Sequence, residues 1–172
     1  MLRIGITYLF IFCSAYLCAQ QTPSHCNDPA FNKKVDKSII YSVPVLDVDD
    51  LKNNLDEYLI LDAREEKEFE TSHIPGAHLV GYNHLDLGSL EGISKDTKIV
   101  VYCSIGYRSE KVGEKLSALG FRKVYNLYGS IFEWANRNYP LENINDLNTK
   151  EVHTYSKKWS QWLTNPDRIK VW

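Results

Sequence analysis

"KIVVYCSIGYRSEKVG", residues 98–113, is the stretch that decides the fold. Ile99 to Tyr102 form an apolar run without polar alternation, the pattern of a parallel strand covered on both faces. The run ends at Cys103, and Gly106 follows in a short loop. Val112, Leu116 and Leu119 then recur at helical spacing until Gly120, a glycine placed to close a helix. The stretch therefore reads strand, loop, helix, and open α/β sheets bind ligands at the carboxyl ends of their strands. Successive loop N–H groups can converge on one point, a helix N-terminus adds partial positive charge there, and Arg108 adds a full one. All three favour thiolate over thiol, so the pKa of Cys103 is expected below that of a free cysteine. A thiolate in an anion cradle is a nucleophile. The plainer reading, a small buried hydrophobe at position 103, is disfavoured by the glycine and arginine that follow.

The same alternation extends outward. "IIYSVPVL" (39–46) is strand-like, with Pro44 placing it at a sheet edge or strand end, and "DVDDLKNNL" opens a helix. "YLILDA" (58–63) is a compact apolar strand, "EEKEFETSH" a short charged helix, and "HIPGAHLVG" a Pro-Gly turn with a short strand. "KVYNLYG" (123–129) and "SIFEWANRN" (130–138) add a strand and a helix before Pro140. Strands alternating with helices predict an α/β fold, a central parallel sheet with helices on both faces.

Both ends of the chain depart from this rhythm. In residues 1–19 the only charge is Arg3, a continuous apolar run follows, and Ala19 precedes polar "QQTPS". That is the pattern of a signal peptide, so an exported protein, periplasmic or extracellular, is expected to begin near Gln20, with no stable membrane span after cleavage. Residues 20–38 are polar and broken by two prolines, and are read as a flexible leader. Removing residues 1–19 leaves Cys26 and Cys103 as the cysteines, too few for a disulfide framework. Cys26 is read as a free thiol in the leader rather than a resolving partner of Cys103. In residues 141–172, Trp159 and Trp162 stand three apart, as on one helix face, and predict a helical extension docked on the domain. With a net charge of −2 and no basic cluster, no nucleic-acid partner is expected. His25, His78, His84 and His153 lack metal-ligand spacing with the cysteines, so no metal is expected.

Three segments together resemble the rhodanese-like domain family over about residues 41–140, within a domain read as 39–140. "LILDAREEKEFETSHIPGAHLVG" is similar to its first signature, with Asp62, Arg64, His73, Ile74, Pro75, Gly76 and Ala77 in place. "IVVYCSIGYRS" is similar to its active-site loop, and "GFRKVYNLYGSIFEWANRNYP", with Gly129, Trp134 and Pro140, to its closing segment. The resemblance implies a rhodanese-like fold and a sulfurtransferase without cofactor. Cys103 would accept a sulfane sulfur from a small donor as a persulfide and pass it to cyanide or a thiol, and a protein acceptor is left open. It further implies that the amides of Ser104, Ile105, Gly106, Tyr107, Arg108 and Ser109 cradle the persulfide, with Arg108 helping to bind an anionic donor. Asp62, Arg64 and His73 would tie loops together. Two departures stand out: Ser104 replaces the basic residue that follows the cysteine in many thiosulfate-using members, which leaves the preferred donor open, and Ser130 follows Gly129 where the family often has Gly-Gly.

Two other readings compete. A phosphatase or arsenate reductase also places cysteine and arginine around an oxyanion, but such loops carry five residues between them, whereas Ser104 to Tyr107 number four. The shorter ring suits a terminal sulfur and crowds a tetrahedral phosphate. A non-catalytic exported binding module could keep the fold and dock a partner through its aromatic C-terminal segment; the intact Cys103–Arg108 loop argues against it.

Overall fold

In this computed structural model, residues 24–145 and 148–172 are described. The expected signal peptide, residues 1–19, lies outside them. Strands β1 (Val45–Leu46), β2 (Leu59–Asp62), β3 (His78–Leu79), β4 (Lys98–Tyr102) and β5 (Lys123–Leu127) form one sheet in the order β1-β5-β4-β2-β3. Every pairing in it is parallel, with Ile60 opposite Val100 and Val100 opposite Tyr125. Strand β4 is central and apolar on both faces because both are covered. Ile60, Val100, Tyr102 and Leu127 pack into one layer, and Leu61, Ile99, Val101 and Val124 into the other.

Helices α1 (Pro29–Asp36), α2 (Val48–Asn53) and α5 (Ser130–Asn136) cover the first face, and α4 (Tyr107–Ala118) the second. Trp134 of α5 is fully buried, and its indole N–H donates to the Pro140 carbonyl at 2.7 Å. Helix α4 closes at Gly120, whose φ of +91° glycine adopts without strain. Helix α3 (Glu66–Thr71) lies beside β6 (Glu151–His153). Among the described residues, no helix is long and apolar enough to cross a membrane.

Two sequence expectations need correction. From residue 24 the leader is not flexible but folded onto the domain. Asp28 caps α1 by accepting from the Ala30 amide at 2.8 Å, and Pro29 occupies a first-turn position, where its missing N–H costs nothing. Phe31 and Val35, four apart, are both fully buried. The C-terminal extension is docked, as its apolar residues require, but it is not a long helix. Strands β6 and β7 (Ile169–Val171) pair in parallel, and Trp159–Trp162 form a single 3₁₀ turn, in which residues three apart eclipse. Val152 and Leu163 are fully buried, and the Trp162 ring stacks on Phe31 at 5.8 Å.

Candidate active site

Cys103 follows directly on β4, and the chain turns into α4 within four residues. The turn depends on Gly106, whose φ is +122°, a conformation that side chains resist; an added Cβ would also meet Ile39 Cγ2 at 3.2 Å. The Gly106 amide donates to Cys103 Sγ at 3.2 Å, and Ser109 Oγ lies 3.5 Å from the sulfur. The Ser109 amide also faces the sulfur. The first-turn N–H groups of α4 have no intrahelical acceptor, so the sulfur lies where unmet donors collect.

Asn126 of β5 holds this turn in shape. Its Nδ2 donates to the Gly106 carbonyl at 3.0 Å, while its Oδ1 accepts from the Ser109 hydroxyl at 2.7 Å. The start of α5 fixes the other side: Ile131 and Phe132 amides donate to the Cys103 and Ser104 carbonyls at 3.2 and 3.3 Å. The Cys103 amide in turn donates to Ser130 Oγ at 3.2 Å. Ser130 has φ +53°, which explains why a second glycine suits the position; here its hydroxyl adds a tie to the loop instead.

Complete burial of Cys103 pushes its thiol pKa up, but the Arg108 charge and the donors from Ser109 and Gly106 outweigh it, and the net direction is down. Arg108 shares its charge with a carboxylate. Its Nη1 and Nη2 donate to Glu68 Oε2 and Oε1 at 2.7 and 2.8 Å, a bidentate pair, and Nη2 also reaches Ser104 Oγ at 3.0 Å. Ser104 thus joins the Glu68–Arg108 pair where a basic side chain had been looked for. Burial pushes the Glu68 carboxyl up, but Arg108 and Arg64 together hold it below the usual range. Glu68 escaped the sequence reading, which saw only a charged helix. Its one local signal is the spacing from Glu65, whose amide donates to Glu68 Oε2 at 3.1 Å at the start of α3.

This charge arrangement predicts opposite shifts from two variants. Arg108→Ala removes the main charge favouring the thiolate, so the pH profile of Cys103 alkylation moves up. Glu68→Gln releases Arg108 from its counter-ion, so the profile moves down. Both would be read from iodoacetamide rates across pH; movement in the same direction would contradict the assignment.

Asp62 ends β2, and Arg64 and His73 flank α3 on either side. Arg64 is fully buried; its Nε and Nη2 donate to Asp62 at 3.0 and 2.6 Å, and Nη2 donates to the Ser72 carbonyl at 2.6 Å. His73 stacks on Phe69 at 4.0 Å, with Nδ1 3.0 Å from the Phe69 carbonyl, and its backbone exchanges hydrogen bonds with Glu142 at 2.7 and 3.0 Å. Cys26 and Cys103 are both free thiols. Cys26 is buried, and burial and the nearby Glu133 carboxylate push its thiol well up.

Cys103, Ser104, Ile105, Tyr107 and Arg108 line a cavity of about 500 Å³. Glu65 and Asn83 line it as well, with Glu65 Oε1 accepting from Asn83 Nδ2 at 2.9 Å. Five further contributors have no signal in the sequence that places them here: Lys37 and Ser38 just after α1, Tyr82, and Tyr155 and Trp159 from the C-terminal extension.

A parallel sheet with a cysteine at the end of its central strand, in a loop tied to two helix starts, defines a class of fold and site. The rhodanese-like domain family matches residues 47–137, more than half of the chain, and the protein belongs to that family. Among curated proteins it is 32% identical over 103 residues to YrkF of Bacillus subtilis, whose name assigns it provisionally as a sulfur carrier. That match covers 56% of this chain and 53% of YrkF, so the chain spans about half of that relative's length. It is also 32% identical over 82 residues to the thiosulfate sulfurtransferase GlpE of Coxiella burnetii, covering 45% of this chain and 72% of GlpE. Among solved structures, the rhodanese-like domain of the Anabaena protein Alr3790 superposes with a TM-score of 0.54 at 27% identity, over 59% of this chain and 80% of that one. A thiosulfate sulfurtransferase from Pseudomonas aeruginosa gives a TM-score of 0.54 at 26% identity, over 70% of this chain and 23% of that one.

Proposed function

We propose that this protein is an exported sulfurtransferase that carries a sulfane sulfur on Cys103. The observation that carries the reading is the pair of backbone donors, the Gly106 and Ser109 amides, aimed at a buried Cys103 sulfur. The names of GlpE and YrkF support a sulfur-handling role, and the apolar leader ending at Ala19 supports export to the periplasm or beyond. With thiosulfate as donor, the Cys103 thiolate attacks the outer sulfur. The new S–S bond forms as the old one breaks, and sulfite leaves with the electron pair. The negative charge passes to the terminal sulfur of the persulfide, where loop N–H groups stabilise it. Cyanide or a thiolate then attacks that terminal sulfur, and the Cys103 thiolate is the leaving group. No outside oxidant or reductant enters either step.

The four-residue loop separates this reading from phosphoryl chemistry. A phosphatase also needs an acid for the leaving oxygen, and among the described residues the one carboxylate lining the cavity, Glu65, is held by Asn83. The test is a parallel assay of sulfur transfer from several donors, thiosulfate included, and of p-nitrophenyl phosphate hydrolysis. Cys103-dependent sulfur transfer without phosphate release is expected. Cys103-dependent phosphate release with no sulfur transfer from any donor would overturn the reading.

A further inference from the structure

The cavity is far larger than its smallest candidate substrates. Thiosulfate and cyanide contain only a handful of atoms, whereas about 500 Å³ falls in the range of sites that enclose whole organic molecules, about 300–1,000 Å³. Cys103 and its loop form one side. Much of the remainder comes from outside residues 47–137, the part of the chain that matches the family.

The aromatic side chains around this space are Tyr82, Tyr107, Tyr155 and Trp159. Tyr107 and Tyr155 are 49% and 60% exposed, so two rings stand in water beside the buried sulfur. The backbone holds Tyr155 in that position at some cost, with φ at +63°, a region that a bulky residue enters only when its surroundings impose it. The surroundings do so here. The Tyr155 amide donates to His153 Nδ1 at 3.1 Å, and the Thr154 amide donates to the Val171 carbonyl of β7 at 2.7 Å. The ring thereby lies 5.5 Å from the Arg108 guanidinium. Trp159 is braced from α1, with Lys34 Nζ 4.9 Å from its ring centroid. Lys37 adds an exposed ammonium, and no carboxylate pairs with it among the described residues.

We propose that Tyr155, Trp159 and Lys37 form a subsite for the organic part of a peptide-sized thiol that carries a carboxylate. The aromatic rings cover the body of the molecule, Lys37 meets the carboxylate, and the sulfur end reaches Cys103. As donor, the compound is a persulfide: the Cys103 thiolate attacks its outer sulfur, the S–S bond to the organic part breaks, the organic thiolate leaves, and the proton stays on the new Cys103 persulfide. As acceptor, the organic thiolate runs the same step in reverse. The inference rests on the sulfur-transfer reading for the identity of the reactive end, and on the cavity alone for the rest.

The test uses S-methylglutathione, a thioether with the body and carboxylates of such a thiol but no transferable sulfur. Its binding to the full chain would be followed by calorimetry and tryptophan fluorescence. Saturable binding is expected, weakened about two- to fivefold by Lys37→Glu and by a similar factor by Tyr155→Ala. Both side chains are exposed, so both variants should keep the wild-type melting temperature. In turnover, each variant should lower kcat/KM for glutathione persulfide relative to thiosulfate by the same factor. No saturable binding up to about 10 mM, or binding that neither variant weakens, would overturn the subsite. Intact binding with no sulfur loading from any donor would instead sink the sulfur-transfer reading and leave the subsite standing.

Discussion

Cys103→Ser is expected to lower sulfur transfer by at least about a thousandfold, because nucleophile and carrier are the same atom. A serine oxygen stays protonated at any working pH and cannot form the persulfide. The fold should survive, since the Gly106 amide and Ser109 hydroxyl that meet Cys103 Sγ can meet a hydroxyl equally well. Loss of turnover with an unchanged melting curve would therefore separate chemistry from stability. Cys26→Ser is the comparison. Burial and Glu133 keep that thiol protonated, and it is no part of the cavity lining, so turnover should persist. If the Cys26 variant were the inactive one, the assignment of the carrier would be wrong.

Asp62→Ala is expected to destabilise the protein by about 3–5 kcal/mol, because it strands a fully buried guanidinium. Arg64 loses its counter-ion and the acceptor of its Nε, keeping only the Ser72 carbonyl and the face of Tyr102, 5.5 Å away. Arg64 Nη1 already has no partner among the described residues, so the loss leaves a second unsatisfied donor on the same guanidinium. Melting temperature should fall by about 6–15 °C. Asp62→Asn, which can still accept one hydrogen bond, should fall between wild type and alanine. A loss below about 1 kcal/mol would mean that solvent reaches the pair after all.

Much of this arrangement could be read from the sequence because its signals are local. The run from Ile99 to Tyr102 can hardly be anything but a covered strand, and Gly106 and Gly120 mark the two ends of α4 within a few residues. Helix α1 had a local signal as well, Asp28 and Pro29 before Phe31 and Val35, but its polar surroundings hid it. What could not be read depends on partners distant in sequence. The role of Glu68 exists only through Arg108, forty residues on, and that of Asn126 only through Ser109 and Gly106. Tyr155 and Trp159 reach the cavity because β6 and β7, of three residues each, hold the extension in place, and strands that short leave no pattern. The three-residue spacing of Trp159 and Trp162 suits a helix face, but a 3₁₀ turn produces it as readily as a longer helix.

Intact-mass analysis before and after incubation with a sulfane-sulfur donor addresses the central claim directly. The wild type should gain the mass of one sulfur atom, lose it on treatment with cyanide or a reducing thiol, and carry it on the peptide that contains Cys103. Cys103→Ser should gain nothing. A wild-type mass unchanged by thiosulfate and organic persulfides alike, with Cys103 still open to alkylation, would contradict the account.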